Sequence, residues 1–322
     1  MRFPMDVRIL LAVLLLACFC APGRGEVAWT PAEGWRTSRV EAHGEEAPAF
    51  RKAFDLFLDG RHGKAADAFS ECMEHAGEPL REDAAILRAE SLLADNAYRS
   101  AFEAYEDFLE EYPNSRHGDR ALEGELEVAR ALLAGARVKF LGLRLWASYG
   151  LAEKVVDKIM SHRPFSDYAR LAQISLARSY FERELYIESA SAYRQYVELY
   201  PNGNEVREAL LGMGRSILID ANGPEYDPVP YYRAYAVTGD LLRQYPRAPE
   251  AQATMRLRRR AGENLGEHHF NVAKWYLKMG KIEAAVLYFR KVVEEYRETH
   301  WADRAWAILE TLGEVPGEEN AD

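Results

Sequence analysis

From Ala49 onward, apolar residues recur at three- and four-residue spacing, and Gly, Pro and Asn break the runs at regular distances. This pattern predicts a series of amphipathic helices. Few runs alternate β-branched with polar residues, so no strands are expected. One helix end is written three times, as DFLEEYPNS (107–115), RQYVELYPNG (194–203) and DLLRQYPRAP (240–249). KVVEEYRET (291–299) is a fourth version, with Arg297 where Pro would stand, and VVDKIMSHRPFS (155–166) is a looser fifth.

Pro79 to Pro113 is 34 residues and Pro164 to Pro201 is 37, while the other gaps are 51, 45 and 51. Thirty-four is the tetratricopeptide (TPR) period, and the longer gaps read as that period plus insertions. Two copies fit the repeat closely: Leu176, Ala177, Tyr180, Tyr186, Tyr193, Tyr196, Pro201, and Val272, Ala273, Tyr276, Gly280, Ala285, Phe289. Small residues (Ala89, Ala177, Ala273) let the two helices of a hairpin approach, and aromatics (Tyr105, Tyr193, Phe289) fill the space between hairpins. Proline ends the second helix because it cannot continue it. The expected fold is an all-α TPR solenoid of five to six repeats with a C-terminal capping helix at Trp301–Leu312.

The expected organisation follows. Residues 26–48 form a flexible tether, 49–203 the N-terminal repeats with an insertion at 135–150, 204–312 the C-terminal repeats with the cap, and 313–322 a disordered tail. A second insertion, IDANGPEYDPVP (219–230), interrupts the fifth repeat. Glu250–Met279 contains no proline and predicts one long helix, which Gly262 and Gly266 weaken. Trp29 and Trp35 (WTPAEGW) are unusual in a linker and are expected to dock back on the body, the alternative being a free linker.

Residues 1–25 change the picture. Arg2 and Arg8 precede or flank a 12-residue apolar run, Ile9 to Cys20, too short for a bilayer core and of signal-peptide length. Two processing routes stay open. Leu15-Leu16-Ala17-Cys18 resembles the lipobox of bacterial lipoproteins, which would make Cys18 an acylated mature N-terminus; ordinary signal peptidase would instead cut after Gly25. With Phe rather than Asp at 19, the lipobox resemblance implies outer-membrane sorting. The whole chain carries 41 basic and 51 acidic residues, or −10; without residues 1–25 the balance is 38 against 50, or −12. A body this acidic is a poor match for a phosphate backbone, so nucleic-acid binding is disfavoured. Three cysteines cannot build a disulfide framework, and Cys72 sits at a small core position.

LGEHHFNVAKWYLKMGKIEAAVLYFRKVVEEY (265–296) resembles the most specific stretch of the BamD family, the TPR lipoproteins of the bacterial β-barrel assembly machinery. Leu265, His268, Val272, Ala273, Tyr276 and Gly280 match it; the family's Glu is His269 here, its first Tyr is Trp275, and the Pro after Tyr296 is absent. The resemblance covers about Phe50 to Leu312. It implies a lipoprotein on the periplasmic face of the outer membrane, anchored through Cys18, the alternative being a soluble periplasmic protein. It further implies that the C-terminal repeats bind a barrel-shaped assembly pore protein, that the N-terminal repeats receive segments of unfolded outer-membrane proteins, and that other assembly lipoproteins are partners.

A TPR solenoid presents a concave groove lined by the first helix of each unit. By repeat position Glu90 and Leu93, Arg178 and Phe181, and Lys274 and Leu277 face that groove; the plainer alternative for each is an ordinary packed or solvated helix residue. RLRRR (256–260), with Arg256, Arg258, Arg259 and Arg260, reads as a solvated face by composition and as a partner interface by the resemblance, as does Lys274. The insertion ARVKFLGLRLWASYG (136–150) holds three cations and no acid, so it either contacts a partner or anionic membrane or folds over the repeats. His268 and His269 are adjacent and lack a ligand at i+4, so no metal site is expected, and no cofactor motif or catalytic constellation is present in the sequence. The chain is expected to be non-enzymatic, an assembly scaffold or, alternatively, another periplasmic TPR adaptor for envelope or division complexes.

Overall fold

A computed structural model of the chain describes residues 27–30, 34–37, 47–140 and 143–314. The leader with Cys18 and the tail from residue 315 lie outside the described residues. The described chain carries α1 (Ala47–Leu58), α2 (His62–His75), α3 (Leu80–Ala94), α4 (Tyr98–Glu111), α5 (Gly118–Leu133), α6 (Tyr149–His162), α7 (Asp167–Glu182), α8 (Tyr186–Leu199), α9 (Val206–Asp220), α10 (Val229–Gln244), α11 (Ala251–Lys278), α12 (Ile282–Glu295) and α13 (His300–Leu312). Taken in pairs these are six helical hairpins and a closing helix, an all-α TPR fold. Two compact units divide between Ala121 and Leu122.

One local device joins the helices of most hairpins. Gly60, Asn96, Glu184 and Gly280 hold φ between +57° and +74°, and each sits where a first helix turns into a second. At each, two backbone bonds close the helix end: Arg61 N–H to Leu56 O, Ala97 N–H to Leu92 O, Leu185 N–H to Tyr180 O and Lys281 N–H to Tyr276 O are the wider ones. This is the Schellman arrangement, which satisfies carbonyls a helix end would leave orphaned. Gly135 (φ +86°) repeats it after α5, and Gly313 closes α13 in the same way.

In the first unit the core is aromatic. Phe50 and Phe69 meet edge to face with centroids 5.7 Å apart, and Tyr105 and Phe108 are fully buried, as are Ile86 and Leu87. Cys72 is buried there too. The second unit holds two clusters threaded by α11. Ala261 and Leu265 pack with Leu218, Tyr231, Ala234 and Tyr296, whereas Phe270 and Ala273 pack with Ala285, Phe289, Val292, Ala305 and Leu309.

The 28 residues of α11 run without a break, about 42 Å at 1.5 Å per residue. Its glycines are contact points rather than breaks: a Cβ at Gly266 would stand 3.2 Å from Thr299 Oγ1 and Trp301 Cβ, and one at Gly262 would stand 3.3 Å from the Tyr235 ring. Packing here overrides helix propensity.

The expectation of no strands is corrected. Within 26–48, β1 (Val27–Thr30) and β2 (Gly34–Thr37) pair antiparallel with Trp29 opposite Trp35. The expected docking of those two rings concerns side chains outside those described. Within the insertion 135–150, β3 (Arg137–Phe140) and β4 (Leu143–Ala147) form a second hairpin, setting Lys139 opposite Arg144 and Phe140 opposite Leu143. Strands this short offer two apolar alternations each, too few to register against a helical period.

Candidate functional site

The first helices of successive hairpins are tied by ion pairs at the positions expected to face a groove. In the first unit, Glu90 on α3 accepts two hydrogen bonds from the Arg120 guanidinium on α5, the Nη2 bond at 2.7 Å, and both side chains are mostly buried. Leu93 is half-buried on the same helix. In the second unit Arg178 on α7 donates from Nε and Nη2 to Glu208 on α9 at 2.5 Å each, which holds its guanidinium further toward the charged form. Phe181, one turn on, packs edge to face on Tyr186 (5.6 Å) and lies 4.7 Å below the Arg215 guanidinium. Glu90 and Arg178 are therefore committed to neighbouring helices, whereas Lys274, the residue at the same repeat position in α11, is exposed.

The arginine run divides. Arg256, Arg259 and Arg260 are exposed, Arg259 only 3.8 Å from Glu263 one turn away. Arg258 turns inward: its guanidinium lies 3.6 Å over the Tyr235 ring and Nη1 donates to Tyr235 O at 2.6 Å. The run does not act as one surface, because a helix sends residue 258 to a different face from 256 and 260.

Further along the exposed side of α11, the insertion of the fifth repeat comes down on the helix and forms a cleft of about 370 Å³. Its lining is Pro224, Glu225, His268, Asn271, Val272, Trp275 and Tyr276. His268 Nδ1–H donates to Pro224 O at 3.0 Å, which pins the insertion to α11. Trp275 is 53% exposed at the cleft, with Lys274 and Lys278 beside it. An apolar cleft with an exposed indole, a carboxamide and one carboxylate, Glu225, suits an aromatic or apolar side chain from a peptide segment.

Beneath the cleft lies His269, 4% exposed, which the sequence did not single out as a packing centre. Its Nε2 stands 2.5 Å from Tyr232 Oη, and the Tyr288 and Tyr296 rings stack on it at 5.9 and 5.8 Å. Burial, with Lys291 and His268 nearby, brings its pKa down to about 4, so the imidazole is neutral and accepts from the Tyr232 hydroxyl. The partners come from α10, α12 and the residue just after α12, so only the unusual density of Tyr in those segments could have signalled the cluster. A separate groove of about 640 Å³ is lined by Ile187, Ala190, Met213, Ile217 and Val237 with Arg194 and Arg233, and Ile187 is 67% exposed in it.

Residues 146–322, the stretch that contains the cleft, match the model of YfiO, the outer membrane lipoprotein family. The chain belongs to that family. A tetratricopeptide repeat model also matches residues 83–115. Two relatives of this YfiO-family chain carry the name outer membrane protein assembly factor BamD. The protein of Neisseria gonorrhoeae is 25% identical over 175 residues, 51% of this chain and 65% of the relative. That of Caulobacter vibrioides is 20% identical over 154 residues, 48% of this chain and 50% of the relative. The matched stretches thus span less than two thirds of those relatives. Among solved structures, a thermophilic TPR protein of Thermus thermophilus overlays with a TM-score of 0.29 at 17% identity, covering 68% of this chain and 98% of that one. Among the described residues, no helix is long and apolar enough to cross a membrane, and family membership places the chain at the outer membrane.

Proposed function

We propose that this protein is a non-enzymatic periplasmic scaffold of the BamD kind, working in the assembly and insertion of β-barrel proteins into the outer membrane. The observation that carries this reading is the family match over 146–322, with relatives named as assembly factors. Acylated Cys18 holds the protein on the periplasmic face, with the repeats free of the bilayer core. The C-terminal repeats bind the barrel-shaped assembly pore protein, using Trp275, Lys274 and the exposed Arg256, Arg259 and Arg260 of α11. The N-terminal repeats take up segments of unfolded outer-membrane proteins, and other assembly lipoproteins are further partners. The rigid α11 supports this role because a docking face built on a helix anchored in two core clusters loses little entropy on binding.

The test is affinity recovery of the full-length protein from detergent-solubilised membranes of its own source, with mass spectrometry of partners and of the mature N-terminus. Recovery of a barrel-shaped assembly pore protein together with an acylated Cys18 is the expected result. A soluble protein starting at Glu26 and bound to septal or cell-wall factors overturns it.

A further inference from the structure

The hairpin β3–β4 stands outside the helical repeats and almost wholly outside the family match, which begins at residue 146. Its chemistry is the reverse of the rest of the chain. Residues 136–150 hold Arg137, Lys139 and Arg144 and no acid, in a chain of net charge −10. The register sets Lys139 directly across from Arg144. Like charges opposite one another on a two-stranded ribbon are destabilising unless something anionic lies against them. Isolated two-stranded ribbons are marginal in water, so this one needs a surface to rest on.

The base of the ribbon is fixed. Val138 is buried and Arg137 exposed, and the strand register shifts between Arg137 and Lys139. Gly135 at φ +86° leads into β3, where a Cβ would come 3.3 Å from Tyr149 Oη at the far end of the ribbon. Arg183, just past the end of α7, lies 3.8 Å over the Tyr149 ring, and its buried Nη1 lacks a hydrogen-bond partner. A fourth cation therefore stands at the root of a cationic ribbon. The remaining large residues of the insertion are apolar and aromatic: Phe140, Leu141, Leu143, Leu145, Trp146 and Tyr149.

From this juxtaposition, Lys139 across from Arg144 on an acid-free ribbon that also carries Phe140 and Trp146, we infer that β3–β4 is a membrane-contact element that binds an anionic phospholipid surface. Cations interleaved with Trp and Phe are what the headgroup boundary of a bilayer takes up: the charges meet phosphates and the rings sit at the interface. An acidic protein face would meet the charges too, but from 137 to 146 every residue between the cations is apolar or glycine, with no acid or other polar side chain, which is the mixture a headgroup boundary takes up. The chain's net excess of negative charge is repelled by such a surface, so attraction through the acid-free ribbon orients the protein as well as holding it. The inference stands on the hairpin and does not need the assembly role.

The test is amide hydrogen exchange of the full-length protein on vesicles of phosphatidylcholine alone and of phosphatidylcholine with an equal part of phosphatidylglycerol. Any anchoring by the N-terminus is common to both. Amides of β3 and β4 are expected to exchange about tenfold more slowly on the phosphatidylglycerol vesicles, a difference that K139E/R144E removes and that about 0.5 M salt weakens. Unchanged exchange in α11 shows that the variant is folded. Equal exchange of the hairpin on both vesicles overturns the inference. So does protection that the charge reversal leaves in place, or protection that needs the purified pore protein and no anionic lipid.

Discussion

Arg178 on α7 and Glu208 on α9 form a two-pronged ion pair across 30 residues of sequence. Glu90 and Arg120 form the same pair, also 30 residues apart, with the charges exchanged. The repeat period thus fixes the geometry of the bridge and leaves its polarity free. The two bridges differ in exposure. The Arg178 and Glu208 side chains are 45% and 41% exposed, against 17% and 13% for Arg120 and Glu90. We expect Glu90→Gln to cost about 2 kcal/mol, because it takes the opposing charge from a largely buried guanidinium, and Arg178→Gln to cost about 0.5 kcal/mol. Urea unfolding of the two variants measures the difference; equal losses count against burial as the deciding variable.

His269 makes stability depend on pH. Its folded pKa of about 4 lies below the ordinary histidine value, so the unfolded chain binds the proton more readily. The neutral-His contribution is complete above about pH 6.5 and is lost as pH falls toward 4. Between about pH 7 and pH 5 the loss is about 2 kcal/mol. His269→Phe keeps the ring stack and removes this part of the pH dependence, while leaving the Tyr232 hydroxyl without its acceptor. Urea midpoints of both proteins across that range test it: parallel curves refute the assignment.

Left-handed backbone at Glu184 carries strain that glycine avoids. With φ at +61°, Glu184→Gly is expected to stabilise the protein by up to about 1 kcal/mol. Gly212→Ala should do the opposite. A Cβ there would stand 2.5 Å from the Tyr193 ring, and overpacking of this kind costs about 1–3 kcal/mol. Thermal midpoints that move together instead of apart would show that neither backbone nor packing controls these sites.

The arginines of α11 separate stability from binding. Arg258→Ala removes both the stacking on Tyr235 and the bond to its carbonyl, and is expected to lower stability by about 1–2 kcal/mol. Arg256→Ala and Arg260→Ala lie within about 0.5 kcal/mol of the parent. Charge reversal at 256 and 260 is expected to weaken recovery of the pore protein without moving the thermal midpoint.

Trp275→Glu tests the cleft. The indole is half exposed, so the fold tolerates the change, while the apolar lining loses its largest surface. Retained circular dichroism with at least tenfold lower recovery of the pore protein is the expected outcome; undiminished recovery removes the cleft from the interface.

Much of this was legible in the sequence for a physical reason. Each repeat needs a small residue at a helix crossing, an aromatic between hairpins and a stop at the end. Ala177, Tyr193 and Pro201 announce these without any tertiary information. The ribbon at 137–147 was not legible as strands, because strands of four and five residues hold too few alternating positions to stand out against a helical period. His269 was hidden for a different cause: its cage is assembled from Tyr232, Tyr288 and Tyr296, distant in sequence. Arg258 shows the same limit from the other side, since composition marks a basic run but only Tyr235 decides which member turns inward.

The helix α11 gives Phe270 and Ala273 to one core cluster and Ala261 and Leu265 to another. In most repeat arrays the last unit frays first, each repeat melting against its single neighbour. Here the terminal hairpin cannot open without unwinding a helix that the preceding hairpin also needs. The end of the array therefore melts as one cooperative block, and a protease or a pulling force at the C-terminus meets the strength of two repeats where it would ordinarily meet one.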